Sequence, residues 1–307
     1  MRITVFAPAK LNLYLKVLGR RPDGFHALDS LFHVIGLADT LTIEERPAGV
    51  DFSCSNPALA GPDNLAARAA AIMIREAGGG GVRLHLDKRI PAGAGLGGGS
   101  SDAAAVLTGL NRLWRLGLAP ERLAALGAEL GSDVPFFVYG GCARVTGRGE
   151  VIQPLTDPLD GWCVLIHPGC HLDTGRVFRA WAAETGGHVL TEGLPEPIIT
   201  TADATCRDRA WAELGNDLQG AACRLAPEIG LALDALRKAG GARARMSGSG
   251  SAVFCITADH ASAAAIGQRL QVPDRWRVWV VPLVCDPALS GEPTAGQACD
   301  HWGVDKR

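Results

Sequence analysis

A run of glycines in the middle of the chain is the stretch best suited to do chemistry. Residues 91–105 read PAGAGLGGGSSDAAA, and five of the seven residues from Gly93 to Gly99 are glycine. Glycine adopts positive φ angles and lets a ligand approach the bare backbone. The alanine-rich residues that follow predict a helix opening near Ser101 or Asp102, whose free N–H groups and dipole favour an anion. Together these features predict a cradle for phosphate groups.

Other glycine-rich motifs fit this stretch less well. Gly93 to Gly98 match G-x-G-x-x-G, but a dinucleotide fingerprint follows the first strand of a βαβ unit. Here the preceding residues 82–90 alternate like a half-exposed strand that ends at Pro91. The chain has no Gly-Lys pair for a Walker A motif, and neither H-R-D nor D-F-G for a protein-kinase site. A surface loop without a ligand is the remaining alternative, although such linkers do not normally lead into a capped apolar helix.

An acidic residue in apolar surroundings is a second candidate for a chemical role. Asp133 lies in the segment Gly131-Ser-Asp-Val-Pro-Phe-Phe137, at the start of a predicted short helix. An N-cap would account for an aspartate at this position. A carboxylate flanked by valine, proline and phenylalanine is nevertheless unusual, so both a structural and a chemical role stay open for Asp133.

Two polar side chains near the start of the chain are spaced to act together. Residues 7–17 alternate between polar and apolar, as in a strand with one buried face. The apolar face would carry Leu11, Leu13, Leu15 and Val17, and the polar face Lys10, Asn12, Tyr14 and Lys16. On such a face Lys10 and Asn12 can present a cation and an amide to one ligand. A solvated strand face is the alternative interpretation.

The elements that must position these residues alternate along the chain. Strands are predicted at 2–6, 7–17, 27–37, 39–44, 82–90, 141–146, 151–154, 162–167, 252–257 and 276–283. Helices are predicted at 65–77, capped by Asp63 or Asn64, and at 102–114, 120–130, 174–184, 218–225, 227–239 and 258–270. A second glycine–serine loop occupies 240–251, and a shift toward proline and aspartate at 154–160 indicates a domain boundary.

Composition limits the class of protein. The 307 residues suffice for two domains, with 47 % hydrophobic and 20 % charged residues, as in globular proteins. A formal net charge of -2 gives no reason to expect nucleic acid or an anionic membrane as a partner. Nine cysteines without a C-x-x-C pair favour reduced thiols over disulfides or a zinc site. No signal peptide or apolar span is apparent, so we expect a cytoplasmic protein.

Three blocks in a fixed order carry a family resemblance. They are Pro8-Ala-Lys10-Leu-Asn12-Leu, PAGAGLGGGSSDAAA and Met246-Ser-Gly-Ser-Gly-Ser251. This order resembles the GHMP kinase superfamily. The resemblance implies a two-domain α+β fold, with an N-terminal domain like domain 2 of ribosomal protein S5 (1–157, with the phosphate loop) and a ferredoxin-like C-terminal domain (158–286). The tail 287–307 matches nothing and is expected to be mobile.

Four segments are similar to one branch of the superfamily: Lys10-Leu-Asn12-Leu, Arg21-Pro-Asp-Gly-Phe-His26, GLGGGSSDAA and Gly131-Ser-Asp-Val-Pro-Phe-Phe. That branch uses ATP to phosphorylate the 2-hydroxyl of a diphosphocytidyl methylerythritol in the non-mevalonate isoprenoid pathway. By resemblance, Asp133 would be the catalytic base and Lys10 its partner, with Mg²⁺ accompanying the nucleotide. The implied partners are ATP and this cytidylyl substrate, in a monomer or homodimer.

The resemblance also assigns binding residues. Asn12, Phe25, His26, Thr174 and Phe178 would bind the substrate, with Phe25 and Phe178 on either side of the cytosine. The nucleotide would contact Asn64, Lys88, Pro91, Ala92, Gly93, Ala94, Gly95, Leu96, Gly97, Gly98, Gly99, Ser100 and Ser101, with Ser101 nearest to Mg²⁺ or the β-phosphate. Phenylalanine at 25 replaces a tyrosine common in the family, and the segment before Thr174 lacks a proline often found there.

Two alternatives to this function stay open. One is another small-molecule kinase of the superfamily, of the homoserine or mevalonate type. The other is a catalytically silent nucleotide-binding regulator with the same fold. The Phe25-His26 loop speaks against the first, and the presence of both Lys10 and Asp133 against the second.

Overall fold

One long strand organises the first sheet. A computed structural model describes residues 1–155, 159–186 and 215–284. The strand β2 (His26–Arg46) pairs with β1 (Arg2–Arg20) along one edge. Its other edge is shared, because β5 (Cys142–Gly147) pairs with its first half and β4 (Gly81–Asp87) with its second half. Two short strands complete the sheet, β3 (Gly49–Cys54) parallel to β4 and β6 (Val151–Pro154) antiparallel to β5.

The two long strands replace pairs of shorter predicted ones. β1 joins the strand predicted at 2–6 to the alternating residues 7–17, and β2 joins the strands predicted at 27–37 and 39–44. Irregularities in the β1–β2 register, one of them between Asn12 and Tyr14, let the long strands stay paired. The expected alternation fails there, because Tyr14 is buried and donates a 2.7 Å hydrogen bond to Asp29 Oδ1. Tyr14 therefore does not share an exposed polar face with Lys10.

Helices cover one face of the first sheet. They are α1 (Leu65–Glu76), α2 (Gly98–Leu113), α3 (Pro120–Ala128) and α4 (Val134–Tyr139), preceded by a 3₁₀ turn at Pro57–Leu59. Their apolar sides and the sheet form one hydrophobic core. The side chain of Asn64 accepts a hydrogen bond from Ala66 N, so Asn64 is the N-cap of α1.

Helix α2 begins earlier than predicted. Its first residue is Gly98, and its N-cap is Gly97, which has a φ of 70° and offers no side chain for capping. The prediction of a start at Ser101 or Asp102 was wrong. Glycines usually interrupt helices, but here Gly97 forms the turn that leads into α2 and Gly98 is the first residue of the helix. The glycine loop therefore leads directly into the first turn of α2, and its free N–H groups lie at the loop.

The second sheet has four strands: β7 (Trp162–His167), β8 (Arg245–Met246), β9 (Val253–Thr257) and β10 (Arg277–Pro282). Their order in the sheet is β10-β7-β9-β8, and all neighbouring pairs are antiparallel. Four helices accompany them in the described residues: α5 (Thr174–Thr185), α6 (Gln219–Leu225), α7 (Pro227–Lys238) and α8 (His260–Arg269). This succession and strand order confirm the expected ferredoxin-like arrangement.

The two sheets pack against each other. Along β7, Val164 and Ile166 join the core beneath the second set of helices, whereas Cys163 and Leu165 join a cluster that contains Leu11 of β1. The layers are thus helix, sheet, sheet, helix. Because the strands β7 and β10 are covered on both faces, they read as almost continuous apolar runs.

Some predictions lie beyond these observations. The first sheet ends at Pro154 and the second begins at Trp162, but the division at 157/158 stays a prediction. The tail 287–307 lies outside the described residues. Within 1–155, 159–186 and 215–284, no helix combines the length and the apolar character needed to cross a lipid bilayer.

Candidate active site

A cavity of about 1150 Å³ collects the predicted site residues. Its walls come from β1, the glycine loop, the first turn of α2, the segment before α4, helix α5 and the loop 247–251. Every residue that the sequence assigned to the site lines this cavity, with the exception of Ser101. Segments far apart in the chain therefore meet here.

The glycine loop is held from two sides. On one side Lys10 N of β1 donates a 3.0 Å hydrogen bond to Leu96 O. On the other side Ser247 Oγ donates to Gly95 O at 3.0 Å. A Cβ atom at Gly95 would fall 2.2 Å from Ser247 O, so only glycine permits this approach. The loop is therefore pre-shaped, and its amides and the N-terminus of α2 form a cradle for anions.

The two serines after the glycines differ in position. Ser100 lines the cavity and is partly exposed. Ser101 is 1 % exposed, and its Oγ has no hydrogen-bond partner among the residues that the structure describes. The difference follows from the start of α2 at Gly98, because adjacent residues of a helix point in different directions. Of the two hydroxyls, that of Ser100 is the one next to the cavity.

Lys10 and Asp133 face each other across the cavity wall. Lys10 Nζ lies 3.7 Å from Asp133 Oδ2 and donates a 2.5 Å hydrogen bond to Asn12 Oδ1. It also lies 4.3 Å from the centre of the Phe32 ring, on the strand paired with β1. Burial lowers the pKa of Lys10, while the charge of Asp133 acts in the opposite direction. The ammonium group is thus desolvated and directed at one carboxylate.

Asp133 does not act as a helix cap. It directly precedes α4, but its side chain makes no capping hydrogen bond. A third of the side chain is exposed, on the side of the cavity. The N-cap interpretation therefore does not account for this carboxylate, which is available to a ligand.

Asn12 is fixed by three neighbours. Besides accepting from Lys10, its side chain donates to Ser30 Oγ at 3.0 Å, and its backbone N–H donates to Ser247 Oγ at 3.1 Å. It is 2 % exposed. Asn12 therefore orients Lys10 and connects β1 to the loop 247–251.

Lys88 is held by two acids that the sequence did not point to. Its Nζ lies 2.5 Å from Asp39 Oδ2 and 2.8 Å from Asp102 Oδ2. Burial raises the pKa of Asp102 to about 7; Lys88 opposes this shift, and Asp39 adds to it. Asp102 Oδ1 has no hydrogen-bond partner in the described part of the chain. Lys88 therefore joins the first turn of α2 to β2, as well as lining the cavity.

An aromatic group lies at the far end of the cavity. The rings of His26 and Phe178 stack directly, with centroids 4.9 Å apart and planes inclined by 19°. Burial and the nearby Arg20 lower the pKa of His26, and its Nε2 has no hydrogen-bond partner within the described residues. Phe25 is 53 % exposed and lies beneath Arg148, whose Cζ is 5.1 Å from the ring centre. These rings offer flat surfaces for stacking, while His26 Nε2 itself is buried.

Several residues of the site were not found from the sequence. One of them is Ser249, whose Oγ lies 2.8 Å from Oγ1 of the predicted site residue Thr174 and so ties the second glycine–serine loop to α5. Arg20, Arg148 and Arg179 line the aromatic end and make it basic. For Arg148 a signal existed in its Gly-Arg-Gly turn, but a surface turn explains that pattern equally well.

The fold and the site define a class of protein. Residues 64–141 match the family model of the GHMP kinases N terminal domain, and residues 203–272 match that of the GHMP kinases C terminal. A glycine-lined anion cradle beside a Lys–Asp pair suits phosphoryl transfer to a small molecule. The chain is an ATP-dependent small-molecule kinase of the GHMP type.

Proteins similar to this chain over most of its length identify the family within this class. The 4-diphosphocytidyl-2-C-methyl-D-erythritol kinase of Moorella thermoacetica is 45 % identical over 270 residues, which is 88 % of this chain and 95 % of that protein. The same enzyme of Aromatoleum aromaticum is 41 % identical over 93 % of this chain and 94 % of its own. A crystal structure of 4-(cytidine 5'-diphospho)-2C-methyl-D-erythritol kinase superposes with a TM-score of 0.75 at 39 % identity, covering 92 % of this chain and 99 % of that one. The chain belongs to the 4-diphosphocytidyl-2-C-methyl-D-erythritol kinase family.

Proposed function

We propose that the protein transfers the γ-phosphoryl group of ATP to the 2-hydroxyl of 4-diphosphocytidyl-2-C-methyl-D-erythritol, a step in isoprenoid precursor synthesis. The observation that carries the proposal is the Lys10–Asp133 pair, 3.7 Å apart, in the same cavity as the glycine loop. Phosphoryl transfer requires an acceptor for the hydroxyl proton close to a site that binds the phosphates. The names of the relatives support the identity of the substrate.

Asp133 and Lys10 have different roles at the hydroxyl group that is phosphorylated. The carboxylate of Asp133 is partly exposed to the cavity and accepts the proton of the substrate hydroxyl as the new P–O bond forms. Lys10 holds the carboxylate of Asp133 in position through the ion pair and stabilises the negative charge that develops on the transferred group. Asn12 holds Lys10 in place and lies where it can bind the methylerythritol end of the substrate.

The nucleotide fits the glycine loop. Amides of the loop and of the first turn of α2 bind the phosphates, and Ser100 supplies a hydroxyl at the same place. Asn64 and Lys88 lie on the adjacent wall. Because Ser101 is buried outside the cavity, we assign to Ser100 the phosphate contact that the family resemblance gave to Ser101.

The residues present also fit Mg²⁺. The described residues contain no cluster of three or more His, Cys, Asp or Glu side chains arranged to hold a metal ion. Mg²⁺ that accompanies a nucleotide needs few protein ligands besides phosphates and water, and Ser100, which lines the cavity beside the cradle, would supply one oxygen. When bound with the nucleotide, Mg²⁺ neutralises part of the phosphate charge.

The aromatic end suits a pyrimidine base. His26 lies at this end of the cavity, beside the position that we propose for the cytosine, and Phe25 offers an exposed ring for stacking. Base stacking on an aromatic side chain is worth about 1–3 kcal/mol. Because His26 covers one face of Phe178, a base sandwiched between Phe25 and Phe178 would use the other face of Phe178. Thr174 lies beside this group at the start of α5.

An ADP-release assay tests the proposal. The purified protein is given Mg²⁺-ATP with 4-diphosphocytidyl-2-C-methyl-D-erythritol, with its uridine analogue, with homoserine or with mevalonate, each alone. We expect ADP release with the cytidylyl substrate and at least about tenfold less with the uridine analogue, since a site built to hydrogen-bond one base rejects another. Turnover of homoserine or mevalonate instead, or ADP release with none of the four, would contradict the proposal.

A further inference from the structure

A buried asparagine outside the cavity holds the second glycine–serine loop. Both Asn216 side-chain N–H groups are used, because Nδ2 donates to Met246 O at 2.9 Å and to Gly248 O at 2.7 Å. Its Oδ1 accepts from Leu218 N at 2.9 Å. The residue is 9 % exposed. All the polar groups of this side chain therefore bind backbone atoms. Two of these atoms belong to residues 246–251, the second half of the glycine–serine loop 240–251, which we call the loop 246–251 below.

The segment that carries Asn216 is bound to β1. Leu15 N donates to Gly215 O, and Asp217 N donates to Leu15 O, both at 3.0 Å, so Asn216 pairs with Leu15 in a parallel bridge. Lys10 and Asn12 lie on the same strand. Asn216 consequently fixes the loop 246–251 relative to the strand that carries both residues.

The loop that Asn216 holds touches the donor side and the acceptor side of the cavity. Ser247 Oγ accepts from Asn12 N at 3.1 Å and donates to Gly95 O at 3.0 Å. At Gly248 the approach is so close that a Cβ atom would lie 3.1 Å from Asn12 Oδ1. A displacement of Met246 O or Gly248 O would thus move both the glycine loop and the amide that holds Lys10.

We propose that Asn216 is a positioning residue for phosphoryl transfer, which keeps the phosphate loop and the Lys10–Asn12 pair in register by holding both carbonyls of the loop 246–251. The inference rests on the function proposed above. A carboxamide is suited to this position, since it presents two donors and one acceptor from a single side chain. Its loss would leave two buried carbonyls unpaired and release the loop. Because misplacement of reacting groups by about 1 Å lowers rates about 100-fold, the effect should appear in kcat.

The experiment compares three single variants in steady-state assays with both substrates saturating. Asn216→Asp has the same shape but lacks the donors, and Asn216→Ala lacks the whole carboxamide. The matched control is Asp217→Ala, the adjacent residue, whose carboxylate accepts hydrogen bonds from Lys16 Nζ and Val17 N of β1 and not from the loop. Thermal unfolding of each variant separates loss of stability from loss of turnover.

We expect kcat of both Asn216 variants to fall by about 10- to 100-fold while Asp217→Ala stays within about twofold of the wild type. A double-mutant cycle with Ser247→Ala adds a readout that a merely structural role would not move. Because Asn216 acts through the loop that contains Ser247, the double variant Asn216→Ala/Ser247→Ala should lose little more kcat than the more damaging single variant.

Three outcomes would overturn the inference: unchanged kcat in folded Asn216 variants, strictly additive effects with Ser247→Ala, or unfolding of both Asn216 variants at the assay temperature. Failure of the proposed function is distinguishable, because it would show as absent turnover in the wild-type protein itself.

Discussion

Lys10 Nζ and Asp133 Oδ2 lie 3.7 Å apart, with the lysine side chain 4 % exposed and the aspartate 33 % exposed. The ammonium group is thus closed off from water on the side of β1, while the carboxylate opens to the cavity. The buried ammonium group holds the carboxylate from one side and leaves its other side open to a substrate. This asymmetry is what makes Asp133, and not Lys10, the group that can accept a proton.

Replacing Asp133 separates binding from chemistry. In Asp133→Asn we expect both substrates to bind with nearly unchanged affinity, and kcat to fall by about 10²- to 10⁴-fold, since an amide accepts no proton. Steady-state kinetics and calorimetry measure the two quantities. The control is Glu129→Gln, which removes an exposed carboxylate at the end of α3, shortly before Asp133 in the chain. It should behave like the wild type. Full turnover in Asp133→Asn would refute its role as base.

Lys10 should set an alkaline limit to activity. Burial lowers its pKa below the ordinary 10.5, so the proton that makes it a cation is lost at lower pH than from an exposed lysine. Because the protonated form is the active one, kcat should fall as the pH rises through this lowered pKa. Lys10→Arg keeps its charge throughout and should turn over more slowly but without that alkaline limb. An identical limb in Lys10→Arg would assign it to another group.

Gly97 should be intolerant of any side chain. Its φ is 70°, and a Cβ atom there would lie 2.8 Å from Phe137 Cζ and 3.2 Å from Lys10 Cγ. The added carbon of Gly97→Ala would press on Phe137 and Lys10, and we expect a rise in the KM for ATP and a fall in kcat of about tenfold or more.

The matched control for Gly97 is Gly117→Ala. Gly117 has a φ of 68°, but its Cβ atom would meet nothing within 4 Å. Both variants should lose about 1–2 kcal/mol of stability through the left-handed backbone. A loss of catalysis in Gly117→Ala as well would show that backbone strain, and not the close approach at Gly97, is responsible.

Phe178 should contribute to the binding of the cytidylyl substrate and not to that of ATP. Phe178→Ala removes the ring that stacks on His26 at 4.9 Å and a surface on which a base can stack. We expect the KM for the cytidylyl substrate to rise by about 5- to 150-fold, corresponding to about 1–3 kcal/mol of stacking. The KM for ATP, measured in the same assays, should stay the same. Equal changes in both KM values would indicate a structural role for the ring.

Patterns that are local in the chain were predictable. The glycine run indicated the phosphate loop, the period of apolar residues located most helices and strands, and three blocks in order pointed to the family. The helices α1 and α5 and the strand β7 lie within a residue or so of the predicted bounds. These features depend on residues that are neighbours in the sequence, so the pattern within a single loop, strand or helix is enough to predict them.

Other features of the site depended on contacts between distant segments. The start of α2 at Gly98 turned Ser101 inward, and the register irregularity after Asn12 moved Tyr14 to the interior. The stack of His26 on Phe178 and the hydrogen bonds from Asn216 to the loop 246–251 join segments that are far apart in the chain. No periodicity encodes such pairs.

The sequence by itself determined which residues could bind phosphate and transfer it, and in which elements they lie. Only the tertiary structure decided how they meet. The physical reason is that the Lys10–Asp133 separation follows from how α4 and β1 pack on a common core, and packing is a property of the whole chain.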